Sequence, residues 1–370
     1  MSNRNGNQPR KLAGTATIVM PDRGGPKAGR GEEWVGEAST YYNHPLIKKA
    51  HWGWEIYIYF FLGGIAGGSY LVTTLAHFFG LDKDKTLMRA GRYLPFLCIL
   101  ASPILLIMDL GRPERFHHML RVLKFRSVMS IGTWAISLFG FCCGLSTANQ
   151  MAEDGLLNWF PLAARVFKAL PVKAIEVIGS FFGLVVASYT GVLLSSTAVP
   201  LWGRAKHILG PLFLTSGLST GLSALSFILS LGGSSEDTIE RLDQAEIVAM
   251  TTELGLIVSL APTLGPLGKP LVKGRTGLLF GVGTIACGLV LPLLTKLGFR
   301  LTGRPIPRSV NSATSLMVLV GGFILRYVWI IAGRVSADDP KAVHDYNVIE
   351  WKEGTSREED LSKIRSYDVQ

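Results

Sequence analysis

Charged residues are scarce in this sequence. Only 17% of its 370 residues are Asp, Glu, Lys or Arg, whereas 48% are hydrophobic and the mean hydropathy is +0.32. Soluble domains carry about 25% charged residues, so this shortage indicates a protein with several membrane spans. The net charge of +10 is spread over tails and loops and is not gathered on one face. That distribution fits basic residues beside membrane lipids and speaks against a nucleic-acid partner.

Cysteine is also rare, and its spacing does not suit a metal site. The four cysteines lie in apolar segments, with neither a CxxC pair nor a mixed Cys/His spacing: Cys98, Cys142, Cys143 and Cys287. Iron–sulfur clusters and zinc need such ligand sets, so we predict no metal site and interpret the cysteines as core residues. A haem held by two histidines is not expected, because only His77 lies well inside a predicted span.

A cleavable signal peptide is not visible. The first 50 residues are polar and rich in Gly and Pro, with no basic segment followed by an apolar one. We expect these residues to form an extended tail, and the first span to serve as the insertion signal.

The most informative stretch covers residues 55–80. A helix of about 25 residues, at ~1.5 Å per residue, is roughly 37 Å long, which is more than the ~30 Å apolar core of a bilayer. Glycines spaced four apart form two faces on it that let another helix approach closely. These pairs are Gly63 with Gly67 and Gly64 with Gly68. The sequence therefore predicts a membrane helix that others pack against.

Polar side chains mark both ends of this span. Glu55 and Tyr59 are four residues apart, on one helical face near its start, and His77 lies near its end. An ionisable residue at the centre of a bilayer costs roughly 3 kcal/mol, so such residues indicate a functional role. A simpler interpretation stays open, in which Glu55 lies among the lipid headgroups and His77 is an interfacial residue.

Seven further apolar segments complete an all-α integral membrane fold with eight transmembrane helices. They cover residues 93–110, 129–148, 172–199, 213–233, 239–262, 276–297 and 312–332, with a short amphipathic segment expected within 153–170. Eight spans place both termini on the same side of the cell (inner) membrane. The larger number of Lys and Arg residues on that side favours the cytoplasm, although the loops alone are nearly balanced.

The second half of the sequence has two features of its own. Residues 213–233 resemble residues 61–80 in their small-residue pattern, which suggests an internal repeat. Glu246 and Glu253 are seven residues apart, on one face of the sixth span, beside Asp243. Carboxylates inside a membrane protein face its interior, so they either form a proton path or bridge helices by hydrogen bonds.

Three motifs point to a family resemblance. These are DLGRPERF at 109–116, FRSVMSIGTW at 125–134 and SYTGVLLSS at 188–196, together with the glycine-rich first span. In this order, on a frame of eight spans, they resemble the polysulfide reductase membrane-subunit family, also called NrfD/PsrC. The resemblance covers residues 52–335.

The resemblance implies an architecture and a set of partners. It implies two four-helix bundles at 53–200 and 201–334, between an extended polar tail at 1–52 and a polar tail at 335–370. It further implies a bound quinone substrate, menaquinone or ubiquinone, in the first bundle, with no haem or iron–sulfur cluster in this protein. The implied partners are a ferredoxin-like iron–sulfur subunit and a catalytic subunit with molybdopterin or several haems. The protein would exchange electrons between the quinone pool and that iron–sulfur subunit. Coupling of this exchange to proton translocation is a further expectation.

Matching motif positions imply that Tyr59, Tyr189 and Asp109 form the quinone site. Phenolic hydroxyls can donate to the quinone carbonyls, and buried titratable groups can supply protons. The predicted quinone-binding residues are Tyr59, Tyr189, Asp109, Gly64 and His77. The predicted proton-transfer residues are Glu55, Asp109, Glu246 and Glu253, of which Glu253 lies deepest. The predicted residues for partner docking or an ion pair are Arg112, Arg115 and His117.

Two points stay open in this interpretation. Arg112 either docks the partner or pairs with Asp109 and only fixes the turn. The protein as a whole is interpreted as a quinone-reactive subunit without a metal, but a secondary transporter or a structural membrane anchor would also fit parts of the sequence. A transporter would work alone, whereas an anchor would bind the partner without binding quinone.

Overall fold

Eight long helices make up most of the described residues. A computed structural model describes residues 46–48, 50, 52–79, 84–232 and 235–350. In this part the eight helices long and apolar enough to cross a membrane are α1 Trp54–Phe78, α2 Lys85–Met108, α3 Val128–Glu153, α4 Val172–Ser195, α5 Lys206–Gly232, α6 Glu236–Leu264, α7 Gly274–Leu301 and α8 Arg308–Asp338. The same residues contain no strand. The predicted eight-span, all-helical fold is confirmed.

Short helices connect the long ones. They are 3-10 helices at Pro113–Leu120 and Gly265–Gly268 and α-helical pieces at Pro161–Lys168, Pro200–Arg204 and Lys269–Val272. The amphipathic segment expected within 153–170 thus contains a helix. Residues 340–350 are also helical, within the predicted C-terminal tail. The predicted N-terminal tail lies almost entirely outside the described residues, as do residues 351–370.

Helix α2 begins eight residues earlier than the sequence predicts. The side chain of Asp84 caps it by accepting from the backbone N–H groups of Thr86 and Leu87, at 3.0 and 3.1 Å. The sequence predicts a loop for the first turns of α2 because they contain the basic residues Lys85, Arg89 and Arg92. In the structure these turns are helical, and two of the charges have partners: Arg89 pairs with Asp154 at the end of α3, and Arg92 pairs with Glu176 of α4.

The packing is centred on α1. It contacts α2, α4, α5 and α8, while α3 lies against α2 and α4. In the second half, α5 packs against α6 and α8, and α8 packs against the π-helical part of α7 at Leu279–Val290. Because α1 and α4 also pack along α5, the described helices form one compact unit. The division into two bundles at residue 200 therefore stays a prediction.

Glycines allow α1 to cross α5 at close range. A methyl group on Gly68 would overlap the backbone carbonyl of Gly217, and Gly64 lies against the Cα of the same residue. Small residues let helix backbones approach in a membrane, where apolar burial alone does not drive association. The predicted glycine face of α1 thus meets the glycine-rich stretch of α5.

Candidate functional site

A cavity of about 70 Å³ lies near the N-terminal end of α1, among the first four helices. Its walls come from the segment before α1, from α1 to α4 and from the 3-10 helix after α2. The residues that line it are Trp52, Ile56, Tyr59, Phe60, Leu106, Asp109, Leu110, Met119, Met129, Gly132, Thr133, Tyr189 and Leu193. The lining is mostly apolar, with a few polar groups that converge, which is the usual composition of a small-molecule site.

Two tyrosines supply most of the polar chemistry of the cavity. Tyr59 of α1 and Tyr189 of α4 are 4% and 8% exposed. Within the described residues, no hydrogen bond is found for either phenolic hydroxyl, although each ring is packed among apolar neighbours. Both residues line the cavity, and a phenolic hydroxyl can donate one hydrogen bond and accept others.

Gly132 makes room for the ring of Tyr189. A methyl group on Gly132, in the second turn of α3, would overlap the ring and hydroxyl of Tyr189. This glycine belongs to the FRSVMSIGTW motif. The motif therefore has a direct geometric role, since it fixes the position of a tyrosine from another helix.

Asp109 brings a carboxyl group to the same cavity. It ends α2, and its Oδ1 accepts a hydrogen bond from the backbone N–H of Gly53 at 3.1 Å. Burial raises the pKa of Asp109, and the nearby charge of Glu55 adds to this, while the Gly53 N–H and the cation of Arg334 work against it. A carboxyl group with a raised pKa is better able to carry a proton near neutral pH.

Arg334 is a site residue that the sequence did not single out. It reaches from α8 and donates to the backbone carbonyl of Trp52, whose ring lines the cavity and stacks on Trp202 at 5.3 Å. Trp52 and Gly53 are thus held by Arg334 on one side and Asp109 on the other. Sequence reasoning missed this contact because nothing local shows that the last helix returns to the first.

Two of the predicted quinone-binding residues lie away from the cavity. His77 is 18 residues after Tyr59 on the same helix, or roughly 27 Å along it, and its Nδ1 is 2.5 Å from Oε2 of Glu176. Gly64 faces Arg326 and Gly217 at the contact with α5. The structure therefore does not bring these residues together with Tyr59, and their role in quinone binding stays a prediction.

The predicted docking residues Arg112, Arg115 and His117 are exposed, in the segment that follows α2. Leu110 and Met119, which bracket this segment, both line the cavity. Among the described residues, Arg112 forms no ion pair with Asp109, whose oxygen accepts from Gly53. The turn is thus fixed by a backbone N–H and not by the alternative ion pair.

A buried ion pair at the far end of the first four helices was also missed. Nε of Arg92 is 3.1 Å from Oε1 of Glu176, which is 1% exposed and also bonds His77. Arg92 further donates to Gln150 at 2.9 Å. Glu176 was visible in the sequence as a charge inside a span, which is the signal that would have found it.

The predicted carboxylates Glu246 and Glu253 are deeply buried in α6, outside the cavity, with 0% and 2% exposure. Glu253 accepts a hydrogen bond from Ser219 Oγ at 2.6 Å. The positively charged residue near it is Arg326 of α8. Glu246 accepts from Ser223 and from Lys296. Both carboxylates thus connect α6 to other helices by hydrogen bonds.

Metal ligands do not cluster in the residues that the structure covers. Within these ranges, no three His, Cys, Asp or Glu side chains are grouped closely enough to hold a metal ion. The cavity itself is lined by hydroxyl, carboxyl and apolar groups.

Comparison with known proteins decides the family. The sequence profile of the family described as "Polysulphide reductase, NrfD" matches residues 44–337. The chain belongs to the NrfD family. The match includes all eight long helices almost completely and every residue that lines the cavity.

Individual relatives agree with this assignment. The sequence is 29% identical over 307 residues to "Protein NrfD homolog" of Haemophilus influenzae, covering 77% of this protein and 95% of the relative. It is 28% identical over 324 residues to "Protein NrfD" of Escherichia coli, covering 81% and 99%. A "Hdr-like menaquinol oxidoreductase integral membrane subunit" of Archaeoglobus fulgidus is 24% identical over 162 residues, covering 44% and 37%.

Family membership and the eight apolar helices identify a multi-pass membrane protein. NrfD-family proteins are membrane subunits of oxidoreductase complexes, a description that agrees with the printed name of the Archaeoglobus relative. The cavity among the first four helices is therefore the candidate site for the reaction that such a subunit serves.

Proposed function

We propose that this NrfD-family protein is the quinone-binding membrane subunit of a respiratory oxidoreductase complex. The observation that carries the proposal is the cavity, whose lining includes two tyrosines and one aspartate from three different helices. The menaquinol named for one relative supports the ligand class. Menaquinone and ubiquinone share the two carbonyl groups on which the proposal depends.

The residues of the cavity match the needs of quinone chemistry. A quinone takes up two electrons and two protons, and a subunit without a metal can contribute only position and protons. Tyr59 and Tyr189 donate hydrogen bonds to the carbonyl oxygens, and Phe60 and Trp52 supply apolar faces for the ring. Asp109 supplies or accepts a proton at the wall of the cavity, with Glu55 beside it on the side of the membrane surface.

The partner we propose is a ferredoxin-like iron–sulfur subunit, which is attached to a catalytic subunit with molybdopterin or several haems. The exposed segment with Arg112, Arg115 and His117 is a suitable docking surface, since both of its ends line the cavity. An iron–sulfur cluster bound there would be close to the quinone. We place the complex in the cell (inner) membrane, with both termini of this protein in the cytoplasm.

Equilibrium binding tests the proposal. The purified protein in lipid nanodiscs is titrated with a fluorescent quinol analogue, and the same titration is done for the Tyr59→Phe/Tyr189→Phe double variant. Each lost hydrogen bond is worth about 1 kcal/mol, so we expect the dissociation constant to rise about tenfold or more. The control is Tyr70→Phe on the same helix, because Tyr70 bonds Ser146 at 2.8 Å and does not line the cavity.

Copurification from native membranes, together with this titration, distinguishes the alternatives. A structural anchor would copurify with the iron–sulfur subunit but bind no quinol analogue, and a secondary transporter would do neither. Binding that is equally strong in the double variant and the wild type would contradict the proposed site.

Proton transfer through α6 is a second candidate function, coupled to the first. The observation that favours it is the burial of Glu246 and Glu253 on one face, each in contact with a serine hydroxyl of α5. Glu253→Gln keeps the size of the side chain and removes its proton exchange. Unchanged quinol turnover and unchanged proton movement in vesicles with this variant would rule out that role for Glu253.

A further inference from the structure

A lysine is completely buried among acceptors in the second half of the protein. Lys296 of α7 is 0% exposed. Its Nζ lies 2.5 Å from Oδ1 of Asp243, 2.7 Å from Oε2 of Glu246 and 2.9 Å from Oδ1 of Asn311. The two carboxylates come from α6 and the amide from α8, so three helices meet at one ammonium group.

The charges of this cluster do not balance. One ammonium faces two carboxylates, of which Glu246 is 0% and Asp243 6% exposed. If all three groups were ionised, one negative charge would stay uncompensated in a region of low dielectric, which is strongly unfavourable. Glu240, an exposed carboxylate of α6 three residues before Asp243, adds a further negative charge near Asp243.

The neighbouring pair on the same helix is balanced and serves as an internal comparison. Glu253 has one cationic neighbour, Arg326, and accepts a hydrogen bond from Ser219. Arg326 is 1% exposed and donates to the backbone carbonyl of Phe60 at 3.1 Å and to Ser216 at 3.2 Å. One negative charge meets one positive charge there, so Glu253 needs no further cation.

Two buried serines lie one helical turn from the contact between Asn311 and α5. Nδ2 of Asn311 donates to Ser230 Oγ at 3.1 Å, which sets the register of the antiparallel helices α5 and α8. Ser226 and Ser315 each lie four residues inward from this contact, one helical turn away, and both are 0% exposed. Within the described residues, neither hydroxyl has a hydrogen-bond partner. Such groups are normally satisfied by an exchangeable water molecule.

We propose that Asp243, Glu246 and Lys296 form a binding site for one exchangeable proton, which the two carboxyl groups share. The proton neutralises the cluster, and the serine face of α5 provides the route by which it exchanges. Ser223, which bonds Glu246, and Ser219, which bonds Glu253, are one turn apart on that face. A role of this site in proton transfer rests on the proposed proton route through α6. Within that route, the site assigns the proton-carrying role to Glu246 and Asp243 instead of Glu253.

Infrared spectroscopy tests this site without quinone or partner subunits. The full-length protein in lipid vesicles is measured in H₂O and D₂O at neutral pH, in the region where a protonated carboxylic acid absorbs through its C=O stretch. We expect an isotope-sensitive band in the wild type that is lost or displaced in both Glu246→Gln and Asp243→Asn. Glu236→Gln, an exposed position on the same helix, is the control and is expected to leave the band unchanged.

A milder variant covers the case in which those substitutions prevent folding. Ser223→Ala removes only the hydroxyl that bonds Glu246, and we expect it to shift the band without abolishing it. Absence of the band in the wild type, or a band that none of the three variants changes, would overturn the proposal. A band that appears only when sodium is replaced by potassium would also overturn it, by showing that the cluster binds sodium. Because no quinone is used, failure here is distinct from failure of the quinone site.

Discussion

At the scale of single residues, the cavity depends on side chains whose polar atoms are not already used. Within the described residues, no hydrogen bond is found for the hydroxyls of Tyr59 and Tyr189, whereas the hydroxyl of Tyr70, on the same helix as Tyr59, bonds Ser146. Burial alone does not distinguish Tyr59 from Tyr70, because both are buried. The difference in hydrogen bonding is the reason why we propose a ligand-binding role for Tyr59 and a structural role for Tyr70.

The first prediction concerns the glycine beneath Tyr189. Gly132→Ala places a methyl group where the Tyr189 ring lies, so the ring must move away from the cavity. Overpacking of this kind costs about 1–3 kcal/mol, and we expect quinol-analogue binding to weaken about tenfold or more. Gly140→Ala on the same helix is the control, since its nearest neighbour would be an ordinary contact with Ile99. Equal affinities for the two variants would argue against the position given to Tyr189.

The second prediction concerns the charge beside Asp109. Burial raises the pKa of Asp109, and Arg334 limits that rise because a nearby cation favours the ionised carboxylate. Arg334→Gln removes the cation, so the pKa rises further and the protonated form survives to higher pH. If the protonated form binds the quinone carbonyl, the pH at which affinity is lost must move upward.

Quinol-analogue affinity measured across pH checks this shift. Arg300→Gln, an exposed arginine near the end of α7, is the control and is expected to leave the profile in place. A downward shift with Arg334→Gln, or none, would show that Asp109 does not carry the proton that matters for binding.

At the scale of helices, α1 is the element on which the others are arranged. It supplies Ile56, Tyr59 and Phe60 to the cavity and uses its glycines to contact α4 and α5. A methyl group on Gly67 would overlap the backbone of Gly183 in α4, just as one on Gly68 would overlap α5. The helix therefore positions the site and joins the two halves of the protein.

The third prediction tests this close crossing. Gly68→Ala forces α1 and α5 apart, and we expect the free energy of unfolding, measured by SDS titration in mixed micelles, to fall by about 1–3 kcal/mol. Gly255→Ala on α6 is the control, because its methyl group would point into open space. If both variants unfold alike, the two helix backbones are farther apart than the glycine contacts indicate.

The sequence predicted the number and position of the helices well, because eight long apolar runs leave little choice in a membrane. The predicted start of α2 was too late, because charged residues such as Arg89 and Arg92 favour a loop in the sequence. Their partners Asp154 and Glu176 are visible only in the structure. Tyr59, Asp109 and Tyr189 were predicted together through a resemblance of motifs, and all three line the cavity. Arg334 and Lys296 were not found, because their partners lie on helices distant in sequence and no periodicity reveals such a contact.

At the scale of the whole molecule, the cavity and the buried charges of the second half form two separate polar centres. Arg326 lies near both of them. The cavity lies among α1 to α4, and the buried charges of Glu246, Glu253 and Lys296 lie in the second half. Arg326 of α8 donates to the carbonyl of Phe60, which lines the cavity, and is the cationic neighbour of Glu253. Arg326 is thus a neighbour both of the cavity lining, through the Phe60 carbonyl, and of Glu253 in the second half.

Photolabelling with an azido-quinone tests the central claim, that quinone binds between Tyr59, Asp109 and Tyr189. The whole complex in native membranes is irradiated with the probe, and labelled peptides of this protein are mapped by mass spectrometry. We predict labels within residues 52–60, 106–110, 129–133 or 189–193, and their loss when excess quinol analogue is added. Labels confined to residues 206–338, or labels that the analogue does not displace, would contradict the account.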